Sequence, residues 1–268
     1  MSDVLERDNA LSRWKVGPAE NALRELFGEQ PVRVRLDRVH FPGKRPVNLV
    51  YTVQLQSGLF KTVLAESCPD DPDGSAAKAT ESLRKSRNGQ RGALEKMPIV
   101  ADRVGRLVLR HPGLDERLPG LKILHDRAFA RDVVERLTGS HHTGPVSPRL
   151  MAHRLGKRAV VRIDLGGTRV FARLRAIKSN DGQERLARHS AVWDALGQTG
   201  DLTVPEPLGA LPELGLSLFG ELPGQAPHFD RDHTAVLKSL DALQSIELRE
   251  LPVHCGADEA MLLGEWQR

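Results

Sequence analysis

Residues 156–177 read GKRAVVRIDLGGTRVFARLRAI, and the fold turns on how this stretch is read. Val161, Ile163 and Leu165 alternate with Arg162 and Asp164 before Gly166-Gly167. Thr168, Val170, Ala172 and Leu174 alternate with Arg169, Phe171 and Arg173 after it. Period-two alternation on both sides of two glycines predicts a β-hairpin, because glycine supplies the positive φ angles of a tight turn.

Working outward, residues 184–196 (ERLARHSAVWDAL) place Leu186, Val192, Trp193 and Leu196 on one stripe and predict a helix. Val204-Pro205-Glu206-Pro207 enters an extended segment, and Leu216–Leu222 reads as a strand ended by Pro223-Gly224. A helix over Thr234–Ile246 is capped by Asp230 or Asp232, and Ala257–Arg268 reads as the opening of another. Upstream, a first hairpin is expected over Val47–Glu66, turning at Ser57-Gly58. Residues 1–30 read as mostly helical, Val104–Leu109 as a strand and Lys122–Leu137 as a helix. Cys68–Gly92 reads as a polar loop with a short helix, and Gly139–Pro148 as a second loop. Gly43-Lys44-Arg45-Pro46-Val47 matches Gly156-Lys157-Arg158-Ala159-Val160 at four of five places, which fits either a duplicated β unit or a chance match at a basic turn.

Composition bounds the class. The 268 residues are 40% hydrophobic and 28% charged, ordinary for a globular chain. With 4% aromatic residues, leucine, valine and alanine must fill the core. A net charge of +4 suits an anionic ligand and equally a solvated arginine-rich surface. Two cysteines, Cys68 and Cys255, allow one disulfide but make no disulfide framework. The charged start lacks a signal-peptide core, and no stretch approaches the ~18 apolar residues that cross a bilayer, so a reducing, cytoplasmic location is expected. Scattered arginines with few aromatics argue against nucleic acid as a partner.

The order of elements from Arg149 onward resembles the N-terminal lobe of aminoglycoside phosphotransferase-like kinases, which share the protein-kinase-like fold. The elements are a hairpin, a helix, the V-P-x-P segment Val204–Pro207 and a strand running into Gly220-Glu221-Leu222-Pro223-Gly224. Arg110–Asp115 with Leu118–Leu121 is similar to a segment preceding that lobe in some members, so the likeness spans roughly residues 105–250. It implies an α+β fold, an antiparallel β-sheet with flanking helices forming a kinase-like N-terminal lobe over 149–268, and an N-terminal α+β extension over 1–148. It implies ATP and Mg²⁺ as cofactors, with a nucleotide as partner and room for a small-molecule acceptor, while the composition argues against a membrane or nucleic acid. The turn Gly166-Gly167 would cover the phosphates, and Arg173 would stand where the family has lysine. Glu184 would be the helix carboxylate, while Phe219, Glu221 and Leu222 would meet the adenine. Arginine keeps the charge but is a planar fork rather than a compact point charge. The chain contains neither the H-G-D-x-x-x-x-N loop nor the later D-x-D/E segment, so a truncated or degenerate phosphotransferase with no catalytic residues is expected.

Two other classes compete. Asp164-Leu165-Gly166-Gly167-Thr168 looks like the first phosphate motif of sugar kinases of the actin and hexokinase fold, but no Gly-rich successor follows. A lobe without a catalytic loop would serve as a non-catalytic nucleotide- or protein-binding module. For metals, His125 with His141-His142, and His228, Asp230, Asp232 and His233, are the nearest clusters, and both read as turns and caps rather than sites.

Overall fold

A computed structural model of the chain describes principally residues 14–41, 46–68, 70–85, 97–177, 181–199 and 203–222. Its alternating strands form two five-stranded antiparallel sheets, each packed with helices, a mixed α+β architecture. The first half comprises α1 (Glu20–Phe27), β1 (Pro31–His40), β2 (Asn48–Leu55), β3 (Phe60–Ser67), α2 (Pro72–Lys85), β4 (Val100–Asp102) and β5 (Leu107–Arg110). The second comprises α3 (Lys122–His125), α4 (Arg127–Thr138), β6 (Val146–Arg154), β7 (Arg158–Leu165), β8 (Thr168–Arg175), α5 (Asp181–Thr199), β9 (Pro207–Leu211) and β10 (Leu216–Gly220). No helix among the described residues is long and apolar enough to cross a membrane.

The halves repeat one topology. Strand order is β1-β2-β3-β5-β4 in the first sheet and β6-β7-β8-β10-β9 in the second. Each first strand shifts register at the same place, between Leu36 and Arg38 opposite Tyr51 and Val50, and between Leu150 and Ala152 opposite Val161 and Val160. The two basic strings noted in the sequence also correspond. Gly156-Lys157 joins β6 to β7, and the other string joins β1 to β2, though its Gly43, Lys44 and Arg45 lie outside the described residues.

Alternation decides which face of each sheet is buried. Leu49, Tyr51, Val53 and Leu55 of β2 point inward with Val63, Ala65, Leu107 and Leu109, and α1 closes over them with Ala22, Leu23 and Leu26. In the second sheet Ala159, Val161, Ile163 and Leu165 of β7 point inward with Val170, Ala172, Leu174, Leu216 and Leu218. Helix α4 covers that face with Ala130, Val133 and Val134. Burying a side chain of this size stabilises by about 1.5–3 kcal/mol, so these inward rows, not the helices alone, hold each half together.

The expected hairpins form. Gly166 and Gly167, at φ 56° and 91°, turn β7 into β8, and Gly58 at φ 83° turns β2 toward β3. Where a polar loop with a short helix was expected, α2 runs for 14 residues and buries Ala76, Ala79 and Leu83. The helix expected over 122–137 is broken at Asp126, whose backbone is extended and whose carboxylate accepts the Phe129 N–H at 3.0 Å. Asp126→Ala is expected to cost about 1 kcal/mol, the usual loss for an N-cap, read as a lower urea midpoint with an unchanged slope. The helix expected over 234–246 and the pattern at 257–268 fall almost entirely outside the described residues.

Strand β5 ends on Arg110, which is buried at 2% exposure and donates from Nη1 to Glu116 Oε2 at 2.7 Å. The segment that follows leads into the second half, and a set of polar contacts ties the two together. Asn48 Nδ2 donates to the Leu155 carbonyl at 3.2 Å, and Arg154 Nη2 lies 2.9 Å from His40 Nδ1.

Candidate functional site

Alternation that sends Val170, Ala172 and Leu174 inward sends Phe171, Arg173 and Arg175 to the outer face of the second sheet. The same rule sends Val160, Arg162 and Asp164 of β7 outward, and Ser217 and Phe219 of β10. Registers align them in rows. Phe171 lies beside Phe219, and Arg173 lies between Val160 and Ser217. Helix α5 runs along β9 and β10 and brings His189 onto the same face.

Between α5 and this face is an open cavity of about 350 Å³. Phe171, Phe219, Val160, Leu222 and Pro205 make most of its wall apolar, and Arg173 sets one charged group into it. His189 fixes the aromatic wall. Its Nε2 is 2.7 Å from the Pro205 carbonyl, which can only accept, so that nitrogen carries the proton. Its ring stands edge-on to Phe219, with centroids 4.7 Å apart and planes at 67°. A pocket of this size and lining, largely apolar with one cation, suits a single flat organic ligand bearing negative charge.

The first half places a buried side chain at the matching position. Leu64 lies between Val50 and Arg110 as Arg173 lies between Val160 and Ser217, and it is 3% exposed. One topology therefore carries a buried leucine on one sheet and an exposed cation on the other.

The residues expected from the sequence divide into two groups. Arg173, Phe219 and Leu222 come together around the cavity. Gly166, Gly167 and Glu221 gather instead at the far end of β7 and β8, where Thr168 is five residues, roughly 16 Å of strand, from Arg173. There Arg169 bridges Glu221 and Asp164, and Arg162 also pairs with Asp164. The Arg169 hydrogen bond first, and then the charges of Arg162 and Arg169, hold the Asp164 carboxyl below the usual carboxylate range against slight burial. Glu184 lies in the first turns of α5, and its side chain falls outside the described residues.

Val160, Phe171, His189 and Pro205 line the cavity without having been expected from the sequence, while Gly220 lies within the expected stretch from Phe219 to Leu222. Phe171 was the legible one, since it sits two places before Arg173 and so must share its face. His189 carried no signal, because only the packing of α5 brings it to the sheet.

The metal clusters do not assemble among the described residues. His141 pairs with Glu135 at 3.0 Å, while His125 Nε2 hydrogen-bonds the Gly113 carbonyl at 2.9 Å. Burial, partly offset by that bond, lowers the His125 pKa. His228, Asp230, Asp232 and His233 lie outside the described residues.

No family model matches the chain, and no curated protein and no solved structure matches it either.

Proposed function

We propose that the outer-face cavity of the second sheet binds a nucleotide, as the N-terminal lobe of an ATP-dependent small-molecule phosphotransferase would. The observation that carries this is Arg173 on the third strand of a three-strand meander, beside an aromatic-walled cavity and ahead of a long helix. In kinases the cation that meets the phosphates stands on the third strand, and the following helix packs behind it. The base would pack against Phe171, Phe219, Val160 and Leu222. The phosphates would meet Arg173, whose fork can take two oxygens at once.

Charge favours one direction for the anionic end. Beyond Arg173 the outer face continues with Arg175 and, across the register, Arg158, with Lys157 at the turn. The opposite end carries the carboxylates Asp164 and Glu221 already paired with arginines. The phosphates would therefore run toward Gly156-Lys157 rather than toward Gly166-Gly167. None of the described residues lining the cavity is a carboxylate, so on this reading Mg²⁺ would arrive with the phosphates.

Titration calorimetry with ATP and with adenosine tests this. Arg173→Ala is expected to weaken ATP about tenfold or more and to leave adenosine nearly unchanged, because one charge-assisted contact is worth about 1.5–3 kcal/mol. Wild-type protein that binds neither ligand, or ATP binding indifferent to Arg173→Ala, would sink the reading. Magnesium-dependent transfer to water or an acceptor, measured on the same samples, separates an enzyme from a binding module.

A further inference from the structure

We infer that Asp115, acting through a buried polar junction, is a positioning residue that sets the Gly156 turn and with it the affinity of the second sheet for the phosphate end of its ligand. The inference rests on the nucleotide reading above.

Asp115 is 1% exposed and sits on the segment that joins the two halves. Its Oδ2 accepts the Gly156 N–H at 2.6 Å, and its Oδ1 accepts the Arg117 N–H at 2.9 Å. His153, with its side chain 2% exposed, lies with Nε2 at 3.1 Å from Asp115 Oδ2. The Gly113 N–H donates to His153 Nδ1 at 3.1 Å, which leaves Nε2 to donate to the Asp115 carboxylate. Burial raises the Asp115 pKa, but the His153 contact and the two backbone donors outweigh it and hold the carboxyl below its usual range.

This arrangement fixes a turn, not merely a carboxylate. Gly156 adopts φ +67°, and a Cβ there would lie 2.6 Å from Arg117 Nη1, so that guanidinium closes over the turn. The next two residues are Lys157 and Arg158, and Arg158 faces Arg175 across the β7–β8 register. Fixing Gly156 therefore fixes where these cations stand relative to Arg173. A buried carboxylate engaged this fully is costly to bury for stability alone, since apolar packing often does as well.

The test compares wild type with Asp115→Asn for ATP and adenosine binding by calorimetry, and follows amide hydrogen exchange at Gly156. Asp115→Asn is expected to weaken ATP about tenfold, leave adenosine within about twofold, and speed Gly156 exchange about tenfold, as for one lost charged hydrogen bond. Equal weakening of both ligands would show a merely structural role and overturn the inference, as would unchanged ATP affinity or unchanged Gly156 exchange. Should Asp115→Asn fail to fold, His153→Gln, which keeps one donor and one acceptor, is read for the same three outcomes. Wild-type protein that binds neither ligand overturns the nucleotide reading itself and the inference with it. Wild-type binding with no effect of the variants overturns the inference alone.

Discussion

Gly215→Ala is expected to cost about 3 kcal/mol, seen as a large fall in the urea midpoint of unfolding. Gly215 ends the short helical turn before β10 at φ +59°, a conformation that L side chains rarely adopt. A Cβ there would also meet the Arg175 carbonyl oxygen at 2.1 Å. That oxygen belongs to backbone at the end of β8, where Arg175 N–H in turn donates to the Gly215 carbonyl at 2.8 Å. Neither strand can retreat without losing its place over Leu174 and Leu216, both of which are buried. Gly28→Ala is the contrast. Gly28 has a positive φ of 69° but nothing within 4 Å, so that variant loses only the cost of the left-handed backbone, about 1 kcal/mol. A Gly215→Ala midpoint no lower than that of Gly28→Ala would show that the close approach does not hold in solution.

Removing Glu116 is expected to cost a comparable amount. Arg110 sits at 3% side-chain exposure with Glu116 as its carboxylate partner, and its Nε is buried without a hydrogen bond. Glu116→Ala leaves that cation unpaired in the interior, a loss of about 3 kcal/mol even allowing for the partial exposure of Glu116. Arg110→Met, which removes the charge and keeps the volume, is expected to cost less than about 1 kcal/mol or to stabilise. The double variant should then resemble Arg110→Met alone. Urea unfolding of the three proteins checks the cycle, and a Glu116→Ala cost equal to that of Arg110→Met would show that the pair is worth little.

The sequence carried the second sheet's centre plainly and its edges poorly, for a physical reason. β7 and β8 are flanked on both sides, so every inward place must be apolar and the alternation is clean from Ala159 to Leu174. β1 and β6 are edge strands, each with a register shift that switches which residues face inward partway along. Read as a single period, PVRVRLDRVH and VSPRLMAHR show no consistent face, and Pro148 argues further against a strand that only an edge can tolerate. The first hairpin at Ser57-Gly58 was legible because its strands are interior or nearly so. The full length of helix α2 was not, because its buried face is two alanines and one leucine, too thin a stripe to stand out among charged neighbours. At the candidate site, Arg173, Phe219 and Leu222 could be read from strand order. The distance between Arg173 and Gly166-Gly167 could not, since the string shows them only seven and six residues apart and does not say that the intervening strand runs straight.

The shared strand order also bears on how the chain reaches its folded state. In each half the first three strands are a meander of neighbours, which close quickly because their loops are short. Only the pairing of third with fifth strand joins segments about forty residues apart, and it must wait for the intervening helix to be placed. Each half thus contains its own nucleus and its own slow step. The Asp115–Gly156 junction ties the second meander to the joining segment, because its partners lie on that segment and on the β6–β7 turn. It needs the joining segment brought against the β6–β7 turn as well as the pairing of β6 with β7, so its loss is expected to appear more in the unfolding rate than in the folding rate.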